Sequence, residues 1–188
     1  MNTWRIARLV AAKDLRVEWR SRVLINQVLP FAALVMVMFA FALASDTDAV
    51  LTRVAPGLVW LATMFSLLVV VQRSFAVETA DGALDALQVA GVHPWGIFLG
   101  KSLALAAQLA LLELVLMGMA VVLYRTEFRA GGLALLIATY LAATFGLAFV
   151  GTLYGGLAAG AKGRETLLPL LMLPVVAPVL IGATRATE

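Results

Sequence analysis

Three carboxylates fall within eight residues at Glu78, Asp81 and Asp85, inside the stretch RSFAVETADGALDALQVAGVHPWGIFLGK from Arg73 to Lys101. Carboxylates set this close can divide acid and base roles between them, provided a dry pocket and a nucleophile stand beside them. Nothing near them along the chain supplies either. Gly96, Gly100, Lys101 and Ser102 imitate a phosphate-cradling loop. The spacing is one residue short of G-x-x-x-x-G-K-S, however, no strand precedes it, and an apolar helix follows at once. His93 is the single histidine; an imidazole alone beside Pro94 in a connection reads as surface structure sooner than as an axial ligand to haem iron. With no cysteine, disulfides, thiolate metal sites and covalent haem attachment through C-x-x-C-H are excluded. Catalytic residues, a metal site and a directly bound cofactor are therefore not expected in this chain.

What the carboxylates do have is a helical arrangement. Asp81 and Asp85 share one face, while Leu84 and Leu87 recur at i, i+3 on another, the pattern of a short amphipathic helix. Gly82 loosens its start. Gly91 and Pro94 end it, glycine by accepting left-handed torsions and proline by blocking continuation. The loop 73–101 thus reads as a cytoplasmic coupling helix held between two membrane spans, able to bind a soluble partner and pass its motion to the membrane. Leu84 and Leu87 are expected in the partner's groove, with Glu78, Asp81 and Asp85 steering basic groups around it.

The elements that must hold this loop are membrane spans. The chain of 188 residues is 63% hydrophobic and 13% charged, with a mean hydropathy of +0.99. A soluble domain is about a quarter charged, so half the usual charge leaves no polar shell for a water-soluble globule, and a soluble enzyme is excluded. Crossing a hydrocarbon core takes roughly 20 apolar helical residues. Charge-free runs at 23–44, 54–72, 132–161 and 166–183, with 102–124 broken only by Glu113, give five transmembrane helices. The run 132–161 exceeds one crossing, so tilt or extension into the interface is expected. The run 166–183 holds Pro169, Pro174 and Pro178, which predicts a kink or partial unwinding under cover of neighbouring helices. Ala42-Leu43-Ala44 imitates a signal-peptidase site, but the apolar run before it is too long and the charged segment before that too extended, so the first span is kept.

Ten of the fourteen Lys and Arg residues fall on the side of the N-terminus and four on the other. This bias places the N-terminus in the cytoplasm. Residues 1–22 are too charged to cross. Lys13, Arg16 and Arg20 share one helical face, Leu15 and Trp19 pair on another, and Ile6, Val10 and Val17 form a further stripe. This mixture suits an interfacial helix against anionic lipid headgroups. Within the membrane, Glu113 is expected to face protein or water rather than lipid, beside the small residues Ala106, Ala110 and Ala120. It reads either as a polar group in a subunit interface or as a carboxyl satisfied by a neighbouring helix. The pairs Gly151/Gly155 and Gly156/Gly160 allow close helix approach, within the bundle rather than in a dimer seam.

Several of these residues carry a resemblance. The acidic Asp-Gly loop, Leu-Asp-x-Leu, and a Gly-Lys opening the third span resemble membrane subunits of type-2 ABC exporters. Lys13-Asp14-Leu15-Arg16-x-Glu18-x-Arg20, Ala55-Pro56-Gly57-Leu58-Val59-Trp60-Leu61 and Arg73-Ser74-Phe75-Ala76-x-Glu78 are similar to the haem exporter protein B (CcmB) family of cytochrome c maturation. The resemblance implies a non-catalytic permease subunit of an ABC-type complex in the bacterial inner membrane. It implies a separate ATPase subunit that carries the ATP, a haem-handling membrane subunit, a very small membrane subunit and a periplasmic haem chaperone. Haem belongs to that complex rather than to this chain, and no nucleic-acid partner is implied. The family has six spans; Arg185 to Glu188 reads as the start of an outer connection to a sixth, in either a fragment or a shortened member. A generic type-2 export permease for lipid, drug or polysaccharide is the other reading that shares the loop. The expected architecture is thus one all-α integral membrane domain, 1–188, with an interfacial helix 1–22 and a coupling loop 73–101.

Overall fold

The computed structural model describes residues 2–43, 48–80, 82, 86, 89–125, 132–161 and 163–187. These form six α-helices: α1 Thr3–Ser21, α2 Leu29–Leu43, α3 Asp48–Ala80, α4 Pro94–Tyr124, α5 Leu133–Ala159 and α6 Arg164–Thr187. A π-helical turn, Leu24–Val28, leads into α2. Five helices are long and apolar enough to cross a membrane, the first of them being Leu24–Leu43 with its π-turn. Each overlaps one of the five runs read from the sequence, and the second and third extend beyond theirs.

α3 is the hub. It packs against α2, α4, α5 and α6 and is the most buried of the five. Two of its polar residues are satisfied within the helix: Thr63 and Ser66, both fully buried, donate to the carbonyls of Val59 and Ala62 at 3.0 and 2.8 Å, the back-bonding that lets hydroxyls sit in an apolar core. Trp60 stacks at 4.8 Å on Tyr140 of α5 and donates through Nε1 to Thr187 Oγ1 of α6 at 3.2 Å. Tyr124, at the end of α4, donates to the Met36 carbonyl of α2 at 2.8 Å.

Glycine lets α5 close on α3. A Cβ at Gly155 would stand 2.5 Å from Phe75 Cε2 and 2.6 Å from Val71 Cγ1, and one at Gly151 3.0 Å from Val71 Cγ2. The Gly151/Gly155 spacing is therefore an intramolecular helix contact of the small-xxx-small kind. Gly160 faces open space.

Two expectations shift. α6 runs unbroken through Pro169, Pro174 and Pro178. Leu168, Met172 and Val176 recur every four residues on its buried face, so packing holds the helix across the lost backbone donors and no unwound stretch appears. The connection between the second and third spans is also shorter than 73–101, because α3 continues to Ala80 and α4 already begins at Pro94. His93 is its exposed N-terminal flank, and Pro94 sits at the first turn where a missing N–H costs nothing. Gly91 takes φ +67°, the left-handed torsion expected of it.

Candidate functional site

The charges that stretched the expected loop have moved inward. Glu78 lies on the last turns of α3 and Lys101 two turns into α4, and both are buried, with side chains only 4% and 3% exposed. Burying single charges like these costs several kcal/mol each unless they pair. Lys101 Nζ lies 2.9 Å from Glu78 Oε2 and 3.2 Å from Asp14 Oδ2 of α1, and donates to Ser74 Oγ at 3.1 Å. It also stands 4.5 Å from the centre of the Phe75 ring. Lys13 of α1 pairs with Glu78 Oε1 and lies 3.0 Å from Asp14 Oδ1. Two cations and two carboxylates thus form a closed, neutral quartet that ties three helices together.

α1 is brought there by packing. Asn2 caps its start, accepting from the Trp4 N–H at 3.4 Å, and Ile6, Ala7 and Val10 are buried against α4. The close approach needs Gly96 and Gly100: a Cβ on Gly100 would meet Val10 Cβ at 2.6 Å and the Ala7 carbonyl oxygen at 2.7 Å. The residues that imitated a phosphate loop are a helix-crossing seam, and their lysine is committed to Asp14 and Glu78. Past α1, Arg22 adopts φ +52° and Glu18 Oε1 accepts the Leu24 N–H at 2.6 Å, so one side chain caps the entry to the first span.

Among the residues read from the sequence as facing a partner, the structure brings Glu78 to Lys13 and Lys101 of its own chain rather than to the outside. Gly82 has φ +62°, and helical bonds run from the Ala86 N–H to the Gly82 carbonyl and from the Ala90 N–H to the Ala86 carbonyl, both at 3.0 Å. Asp81, Leu84, Asp85 and Leu87 lie outside the described residues. Glu113 is buried and accepts from Thr144 Oγ1 of α5, while its Oε1 finds no partner among the described residues. Ala106 and Ala120 beside it are buried, and Ala110 is exposed.

The sequence reading missed the quartet. From the sequence, Lys101 marks orientation and closes a truncated phosphate loop, and Lys13-Asp14 belongs to a basic helical face and a motif. The available signal was the Lys13-Asp14 pair within one helix and the opposite charges Glu78 and Lys101 at the facing edges of two apolar runs.

The chain matches the CcmB protein family over residues 5–188. It belongs to the CcmB family. It is 31% identical over 188 residues to a heme exporter protein B of Escherichia coli K12, covering 100% of this chain and 82% of that one. To those of Rhodobacter capsulatus and Pseudomonas aeruginosa it is 31% and 30% identical, over 93% and 96% of this chain and 78% and 79% of theirs. As a CcmB-family member with five apolar spans, the chain is a multi-pass membrane protein.

One consequence concerns pH. Burial alone would lower the Lys13 pKa, but hydrogen bonds to Glu78 and Asp14 outweigh it and raise the value above the ordinary lysine range. A cation with a raised folded-state pKa stabilises fully below the unfolded value, and that contribution is lost as pH rises through the folded one. Docking of α1, followed by protease cleavage after Arg16 and Arg20, is therefore expected to stay constant from neutral pH to about pH 10 and to weaken only above it. Release near pH 8 would show that Lys13 is not held by these carboxylates.

Proposed function

We propose that this chain is the permease subunit of an ABC-type haem-export complex in the bacterial inner membrane. In this reading it couples ATP hydrolysis on a separate subunit to release of a haem-loaded periplasmic chaperone. The observation that carries the proposal is the position of the quartet in a CcmB-family chain. Glu78 stands three residues before Asp81, so the root of the acidic connection is locked to α1 and α4. A push on that connection reaches three helices as one body, because a charge-paired, buried joint resists independent sliding. The outward face of α1 supports an interfacial placement: Trp4 and Trp19 are strongly exposed among Arg5, Arg8, Arg16 and Arg20, the composition that binds anionic headgroups. The basic bias puts this end in the cytoplasm, where an ATPase would dock. ATP stays on that subunit, and haem is handled by the neighbouring membrane subunit, the very small one and the chaperone.

Co-purification from native membranes tests the assignment. The ATPase together with the haem-handling subunit and chaperone is expected; the ATPase alone would make this a general export permease instead. The contact itself is expected at Leu84 and Leu87. Burying a leucine contributes roughly 1.5–3 kcal/mol, whereas an exposed ion pair contributes about 0–1 kcal/mol. Leu84→Ala or Leu87→Ala is thus expected to weaken ATPase recovery more than Asp85→Asn does, and the Asp85 effect to fade in high salt. Full recovery after both leucines become Asp, in a chain still inserted, would take this connection out of the coupling path.

A further inference from the structure

Glu113 opens a question that the cytoplasmic end leaves untouched. It lies eleven residues from both Ser102 and Tyr124, about 16 Å of helix each way, and so near the middle of the bilayer. Beside it, α4 and α5 enclose a furrow of about 330 Å³ that opens sideways from the bundle. Its floor is Glu113 and Thr144, both buried; its rims are Leu114 of α4 and Ile137 and Leu141 of α5, all more than half exposed. The lining residues recur every three to four positions, from Ala110 to Met117 on α4 and from Leu133 to Thr144 on α5, so the furrow runs about 16 Å along α5. Thr144 satisfies one carboxyl oxygen and leaves Oε1 with no partner among the described residues. A carboxyl at this depth is expensive unless donors reach it.

We propose that this furrow seats a transmembrane helix of a different polypeptide, carrying a hydroxyl, amide or basic side chain at the level of Glu113. Three observations select that occupant. The groove between two helix ridges has the shape that a third helix fills. A phospholipid keeps its donors in the headgroup layer, roughly 15 Å from the midplane, and offers Glu113 only hydrocarbon. A second copy meeting this face about a twofold axis would set Glu113 against Glu113, and its Thr144 hydroxyl is already committed to its own Glu113 and Tyr140. The broad terminal torsion of glutamate lets the carboxyl turn its free oxygen to the incoming donor. This inference does not rest on how the ATPase is engaged.

The test is a diazirine amino acid at Ile137, irradiated in native membranes with the full complex present. The expected product joins a different polypeptide inside an apolar run of about 20 residues, within one turn of a donor side chain. Its yield is expected to fall about 3- to 30-fold in Glu113→Leu, the range of intramembrane hydrogen bonds, and to persist in Glu113→Gln, which keeps an acceptor oxygen. Leu114→Trp, which blocks the rim and leaves the carboxyl intact, is expected to give the same loss; it guards against a Glu113 variant that fails to fold. A probe at the exposed Leu153, outside the furrow, is expected to be indifferent to both changes. Capture only of phospholipid, of a second copy or of this chain's own residues would overturn the proposal. So would polypeptide capture that neither Glu113→Leu nor Leu114→Trp reduces.

Discussion

Replacing Lys101 with methionine is expected to destabilise the fold by about 3–5 kcal/mol, as removal of one partner from a buried ion pair does. Methionine keeps the apolar stem against Phe75, so the loss isolates the charge. Without Lys101, two carboxylates share Lys13 alone, and Glu78, buried in α3, loses the ammonium 2.9 Å away. Glu78→Gln is expected to cost a similar amount for the opposite reason, leaving a buried Lys101 with only Asp14. The double variant restores neutrality, with Lys13 and Asp14 still paired at 3.0 Å. It is therefore expected to be less destabilised than the sum of the singles, a coupling of the size found between members of one ion-pair network. Lys13→Met is expected to matter far less, because its side chain is 45% exposed and water already screens it. Denaturant unfolding in mixed micelles measures all four. Singles that match Lys13→Met, with a strictly additive double, would show that the quartet is four independent charges.

The same charges explain where sequence reading stopped. Long apolar runs mark spans through hydrocarbon thickness alone, so all five helices were legible, as was the buried setting of Glu113. Glu78 and Lys101 were not. Read singly, a charge beside an apolar run announces water, which puts Glu78 inside the loop 73–101 and Lys101 at its end. In the fold each charge neutralises another that is 23 residues away on the next helix, so α3 and α4 continue past them. Only tertiary structure can cancel a charge in this way. Gly96 and Gly100 were opaque for a related reason, since the spacing of a helix seam and that of a truncated phosphate loop share the same letters. Thr144, 31 residues from Glu113, had no local mark at all. α6 shows the reverse case, in which local chemistry spoke clearly and packing outweighed it: three prolines stand in one helix because Leu168, Met172 and Val176 stay buried along it.

Glycine substitution distinguishes the seam of α1 from the core of the bundle. At Gly155 a methyl group would strike the buried Phe75 ring at 2.5 Å and Val71 at 2.6 Å, side chains of the hub helix with no room to turn. Overpacking of this kind costs typically 1–3 kcal/mol, and Gly155→Ala is expected to lower the stability of the whole span bundle by that amount. At Gly100 one obstacle is the backbone oxygen of Ala7, 2.7 Å from the new methyl. A carbonyl inside a helix cannot rotate away, so all of α1 must lift and drag Lys13 and Asp14 from the quartet. The chain has no cysteine, and Ile6→Cys places a single thiol in the contact, where Ile6 is 4% exposed. Labelling of that thiol is expected to accelerate about 5- to 150-fold when Gly100→Ala is added, the population change that 1–3 kcal/mol produces. Gly118, whose added methyl would meet nothing within 4 Å, supplies the control: Gly118→Ala is expected to leave the labelling rate unchanged. Equal rates in all three backgrounds would mean that the seam at Gly100 does not govern the docking of α1.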